Sequence, residues 1–274
     1  MELYPMIMDP SFAHGSDTPW GGETLRNALM KDAPAGPVGI SYEASSLEGC
    51  ESLVGNGKYA AMTLPVIARK LHPDVFGNGA ESLPVQVCLL DVAGTLKGKT
   101  ETGTAWVVLN KEPENAFALN GQIFEPLPGD VFYLPAGTEY DLSGGVLLYA
   151  AGGTSTHAGT AGKNEGTTVL VKGGSITYYI ADDALEFCRV NLDGTMPLPA
   201  GRMLVLTATA PCRICWGDEE ALELAPFATA VIPASLENVR LQGRSKLLMA
   251  CLSQQEELRV LLDYRAENVS GLKR

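Results

Sequence analysis

Short apolar runs, broken by glycine and proline, set the pattern of this chain. Strand-like runs recur at 39–45, 83–91, 104–109, 115–119 and 145–150. A second series follows at 184–191, 203–207 and 211–216. Side chains alternate across a strand with period two, and turn residues between such runs favour hairpins. Helical spacing is confined to 23–31 and 62–71; in the second, Leu64, Ile67, Ala68 and Leu71 share one face. The pattern predicts an all-β chain with a few short peripheral helices.

The sharpest local signal is the hairpin 129–141. Pro128-Gly129-Asp130 launches the apolar strand Val131 to Leu134, and Pro135-Ala136-Gly137 turns the chain back. Glycine supplies backbone angles that a Cβ forbids, and proline fixes φ and ends the ladder. Gly137 is expected to sit in such a conformation, and Tyr140, three residues on, to point into the barrel. The stretch 225–235 mirrors 127–137, with Phe227 opposite Gly129 and Asn238 opposite Tyr140. The chain therefore reads as two antiparallel barrel repeats, the second worn. Residues 152–166 are rich in Gly, Ser and Thr without an apolar pattern, and read as a linker. The expected division is a first barrel with its N-terminal strand and helices at 1–151, the linker, and a second barrel with a C-terminal tail at 167–274. The polar tail from Gln254 is expected to form a short helix or strand at the surface.

Composition narrows the function classes. The 274 residues are 46% hydrophobic and 19% charged, enough for globular barrels with real cores. A formal net charge of −12 disfavours nucleic acid, whose phosphates it would repel. No leader pattern and no apolar run near the roughly 20 residues of a spanning helix is seen, so a cytoplasmic protein without a membrane partner is expected. Six scattered Cys suggest buried reduced thiols; Cys212 and Cys215 form a C-x-x-C, but on a strand they would face opposite ways. His14, His72 and His157 fall in loops outside the barrel pattern.

In order along the chain, Trp20-Gly21-Gly22, the segment 39–45, the strand 83–91, Gly98-Lys99-Thr100-Glu101, Pro128-Gly129-Asp130 and Pro135-Ala136-Gly137-Thr138 resemble motifs of the type I mannose-6-phosphate isomerases of the short bacterial form, members of the cupin superfamily. The resemblance implies a double cupin fold and a place in carbohydrate metabolism. The family interconverts an aldose and a ketose phosphate on zinc held by a Gln-Val-His-Pro segment, the glutamate of Gly-Lys-Thr-Glu and the histidine after Pro-Ala-Gly-Thr.

Against that pattern, Glu101 is retained, Tyr140 replaces the hairpin histidine, Cys88 stands where the family has a pocket lysine, and the Gln-Val-His-Pro segment falls in a gap. The candidate pocket is Glu43, Cys88, Lys99, Glu101, Glu139 and Tyr140, with no catalytic residue, metal or other cofactor assigned. The expected function is an isomerase-like protein without the zinc chemistry, a sugar or sugar-phosphate binder or a regulator of a true isomerase. One alternative is an active aldose–ketose isomerase with a rebuilt zinc set of Gln86, Cys88 and Glu101. Another is a structural dimerisation module with a filled barrel. A homodimer is compatible with each.

Overall fold

Strand alternation builds the molecule almost entirely from antiparallel ladders. The computed structural model describes residues 3–77, 80, 82–181 and 184–252. The tail from Gln254 lies outside the described residues. Strands account for 49% and helices for 7%, in a jelly-roll-like arrangement.

A seven-stranded sheet runs in the order Gly162–Asn164, Val131–Leu134, Thr104–Lys111, Val146–Gly152, Gln86–Val92, Val38–Ala44, Ser11–His14. A four-stranded sheet, ordered Thr95–Lys99, Glu139–Ser143, Ala116–Leu119, Gln122–Ile123, closes over one of its faces. Between them lies the first barrel's interior, with Val92, Trp106, Phe132 and Leu148 from one sheet and Phe117, Leu119 and Leu142 from the other. A larger sheet contains Glu186–Pro197, Arg240–Cys251, Leu204–Ala208 and Thr229–Ile232 side by side. The hairpin Cys212–Trp216 with Glu220–Leu224 pairs with the first half of the long strand Arg240–Cys251 and folds over the second barrel's core.

The remaining apolar layer joins the barrels. Val87, Leu89, Val107 and Tyr149 from the first meet Phe187, Val205, Leu248 and Ala250 from the second. Both faces of the central strands are therefore buried. Burial of apolar area, at about 25 cal/mol per Å², makes this shared layer a stabilising joint between the barrels.

Two expectations are revised. The first helix is only Thr24–Asn27, because Met30 takes φ 55°, outside helical space. The second spans Leu64–Lys70 and buries Leu64, Ile67 and Ala68 as its spacing implies. Two strands also cross the expected boundary. Met6–Asp9 pairs with Thr229–Ile232 of the second barrel, and Gly162–Asn164, within the Gly-rich segment, pairs with Val131–Leu134 of the first.

The internal repeat appears bond by bond. Gly129 N–H donates to Val108 O at 2.7 Å, and Phe227 N–H donates to Ala208 O at 2.6 Å. Val108 N–H donates to Asp130 O, as Ala208 N–H donates to Ala228 O. Both turns hold a positive φ, 95° at Gly129 and 58° at Phe227. The second copy thus lost its glycine but kept the left-handed turn, which a bulky residue adopts only under strain.

Candidate functional site

The strand Gln86–Val92 alternates between two buried sides. Cys88 and Leu90 join the first barrel's interior, whereas Val87 and Leu89 face the second barrel. Across the ladder, Glu139–Ser143 pairs with Thr95–Lys99, setting Glu139 opposite Lys99 and Tyr140 opposite Gly98. Tyr140 and Leu142 turn inward on this strand. The Tyr140 phenol lies against Gly98, where any side chain would collide with it.

Tyr140 meets Trp106 edge to face, with centroids 5.2 Å apart and planes at 62°. Trp106 meets Phe117 at 6.1 Å and 82°, and Phe117 meets Phe132 at 4.8 Å. Trp106, Phe117 and Phe132 are each at most 3% exposed. Aromatic contacts of this geometry add roughly 0.5–1.5 kcal/mol beyond area burial. The interior between the sheets is a packed aromatic core. Burial, with Cys88 nearby, raises the pKa of the Tyr140 phenol. Burial likewise pushes the Cys88 thiol up to about 12.

Of the other candidates, Glu43 and Glu101 do not converge on Tyr140. Lys99 and Glu139 line, together with Tyr140 and Phe117, an open groove of about 820 Å³ at the four-stranded sheet, beside the exposed Lys97–Asp141 ion pair. Glu101 is exposed in the bend after Thr95–Lys99. Glu43 corrects its expected place most clearly. It is fully buried in the layer between the barrels, with its carboxylate bound by Lys31, Ser41 and Thr229 of the second barrel. The family motif drew attention to this residue, but its partner strand puts Ser41 opposite the outward Leu89 and so turns Glu43 away from the interior.

The zinc set of the family does not fit these residues. The Gln86 amide is engaged on both ends, accepting Ser46 N–H at 2.9 Å and donating to Leu83 O at 2.8 Å. A thiol raised by burial resists the deprotonation that ligation requires. Among the described residues, no group of three or more His, Cys, Asp and Glu could hold a metal ion. His72 is bonded to the Tyr59 hydroxyl at 2.6 Å, and His14 and His157 are exposed. Nor does the C-x-x-C form a site: Cys212 packs in the second barrel's core, while the Cys215 thiol lies 3.8 Å from Gln242 Oε1.

Sequence reading missed Trp106, Phe117 and Phe132 as the filling of the barrel. Their alternation with Ala105, Ala118 and Val131 carried the inward direction. It could not show whether the interior was open.

The hairpin itself gives a direct test. Gly137 holds φ 83°, and a Cβ there would meet only Lys99 Cε at 3.4 Å. The expected special conformation is present, and the left-handed backbone rather than a close approach demands glycine. Gly137→Val should cost about 1–3 kcal/mol of stability in chemical denaturation. Gly137→Asn, which tolerates that conformation better, should cost clearly less.

No family model matches the chain. In sequence it is 26% identical over 185 residues to the probable mannose-6-phosphate isomerase GmuF of Bacillus subtilis, a stretch covering 53% of this chain and 56% of that protein. In structure it resembles the mannose 6-phosphate isomerase from Bacillus subtilis with a TM-score of 0.78 at 17% identity, over 90% of this chain and 99% of the other. The apo mannose 6-phosphate isomerase from Salmonella typhimurium gives a TM-score of 0.69 at 11% identity, over 92% and 100%. Among the described residues, no helix is long and apolar enough to cross a membrane. In fold the chain is similar to solved mannose 6-phosphate isomerases, and it spans about half the length of the curated relative it resembles in sequence.

Proposed function

We propose that this chain is a mannose-6-phosphate-isomerase-like protein of carbohydrate metabolism whose first barrel no longer carries out zinc-dependent aldose–ketose isomerisation. The observation supporting this is the Trp106–Tyr140 contact within an aromatic interior, with Tyr140 at the motif position of the family's histidine. Moving a proton between adjacent sugar carbons develops negative charge on the sugar oxygens. Stabilising that charge is commonly the largest catalytic contribution, and an aromatic core supplies nothing for it. A catalytic zinc typically takes three protein ligands and keeps one position open. Of the family's set only Glu101 remains, exposed at a bend.

The filled interior also favours a second reading, a structural module whose barrel serves packing and self-association. The rebuilt set of Gln86, Cys88 and Glu101 is disfavoured, because the Gln86 amide already holds the 46 and 83 backbone positions.

The test combines elemental analysis after dialysis against trace zinc with a coupled assay for mannose 6-phosphate and fructose 6-phosphate interconversion. Substoichiometric zinc and no turnover above background are expected. About one zinc per chain, with turnover abolished by chelator, would refute the reading.

A further inference from the structure

The two homologous turns meet at the seam between the barrels. Each is held by a cation from the opposite half. Arg189 of the second barrel donates to Gly129 O at 2.6 Å, and Lys31, in the segment before the first barrel's strand Val38–Ala44, donates to Phe227 O at 2.6 Å. Beside them lies a cleft of about 400 Å³, lined by Pro128 and Gly129 on one side and Arg189, Thr209, Phe227 and Lys246 on the other. Val107, Val108 and Leu247 give it an apolar floor.

The charge of this cleft runs against that of the protein. The chain carries 20 Lys and Arg against 32 Asp and Glu, yet two cations and no carboxylate line the cleft. Register explains why both cations face it. Arg189 stands opposite Leu248, and Lys246 opposite Asn191, on strands whose Phe187, Leu248 and Ala250 pack between the barrels. The apolar seam thus gives way to a basic rim. Arg189 is further steadied by the Tyr179 ring, its guanidinium carbon 5.4 Å from the centroid. Its bond to Gly129 O comes from Nη2, so other guanidinium N–H groups remain for a ligand. The Lys246 ammonium has no hydrogen bond or ion pair among the described residues. The neighbouring Asp130 carboxylate is paired with Lys163 at 3.0 Å and accepts Leu127 N–H at 2.9 Å.

We infer that this seam cleft is a binding site for a phosphate monoester of a sugar, distinct from the filled interior of the first barrel. Arg189 and Lys246 hold the phosphate as a forked donor and a point charge. The Thr209 hydroxyl, which donates to Lys246 O, keeps its lone pairs for a sugar hydroxyl. The volume exceeds what a bare phosphate needs and lies within the range of small-molecule sites. Because the lining comes from both barrels, occupancy bridges them. The choice of a sugar as the organic body rests on the carbohydrate reading above; the basic, carboxylate-free cleft does not.

The test is calorimetric titration of the full chain with mannose 6-phosphate, mannose and inorganic phosphate, on the wild type and on Lys246→Ala and Tyr140→Ala. Lys246→Ala is the primary variant because its ammonium supports no internal bond, whereas loss of Arg189 would also release Gly129. Mannose 6-phosphate is expected to bind, mannose not to, and phosphate to bind more weakly. Lys246→Ala should weaken the sugar phosphate about tenfold, the size of one charge-assisted hydrogen bond. Tyr140→Ala should leave its affinity unchanged.

Equal affinity for phosphate and mannose 6-phosphate, no binding, or binding unaffected by Lys246→Ala would each overturn the inference. Loss with Tyr140→Ala alone would place the ligand in the first barrel, overturning the seam site while leaving the carbohydrate reading intact. Zinc-dependent turnover would instead defeat that reading without touching the Lys246 result.

Discussion

Lys31→Met should lower folding stability by about 3–5 kcal/mol, the usual consequence of removing one partner from a buried ion pair. Glu43 is fully buried, and the Lys31 side chain is only 10% exposed. One Glu43 oxygen accepts Ser41 Oγ at 2.6 Å; the other accepts Lys31 Nζ at 2.6 Å and Thr229 Oγ1 at 3.1 Å. Without Lys31 the fully buried carboxylate keeps two hydroxyl donors but no countercharge. Lys31→Met also strips the Phe227 carbonyl of its cation at a residue already in a left-handed conformation.

The double variant Lys31→Met/Glu43→Leu should recover much of the loss, since apolar replacement of a whole buried pair is often neutral. Urea denaturation of the two single variants and the double variant measures this directly. A loss below about 1 kcal/mol for Lys31→Met would mean that the pair is not the inter-barrel tie its burial implies.

The strands were legible because period-two alternation and turn residues survive divergence. The hairpin 129–141 was legible to the level of one side chain: Tyr140 turns inward as its offset from Gly137 requires. The repeat was legible too, although its strongest structural echo is the left-handed turn at Phe227, a position whose residue type argues against such a conformation. Glu43 was misplaced for a physical reason. Val38–Ala44 is buried on both sides, so alternation separates its faces without saying which one meets the barrel interior. Lys99 and Glu139 share a groove with Tyr140, because Glu139 and Tyr140 pair with Lys99 and Gly98 on neighbouring strands. The pairing of Met6–Asp9 with the second barrel is a contact across more than 200 residues, and no local pattern encodes it.

Trp106→Ala should cost about 3–5 kcal/mol, the range for deleting a large aromatic side chain from a core. Trp106 is 3% exposed and touches two rings, Phe117 edge-on at 6.1 Å and Tyr140 at 5.2 Å, within an interior that also holds aliphatic neighbours. Close-packed interiors relax only partly around such a deletion, so a cavity term adds to the lost transfer energy. If the barrel were an open ligand pocket, the same change would enlarge solvent-filled space and cost far less. Chemical denaturation therefore separates a packed interior from a pocket, and a loss below about 1 kcal/mol would sink the packed reading. Tyr140→His, which restores the residue type of the family motif, sharpens the distinction. It should reduce stability by removing the edge contact to Trp106, and it should not confer stoichiometric zinc, because the Gln86 amide stays engaged with Ser46 and Leu83 and Glu101 stays at its exposed bend. Zinc uptake by that single variant would show instead that the metal site is one substitution from recovery.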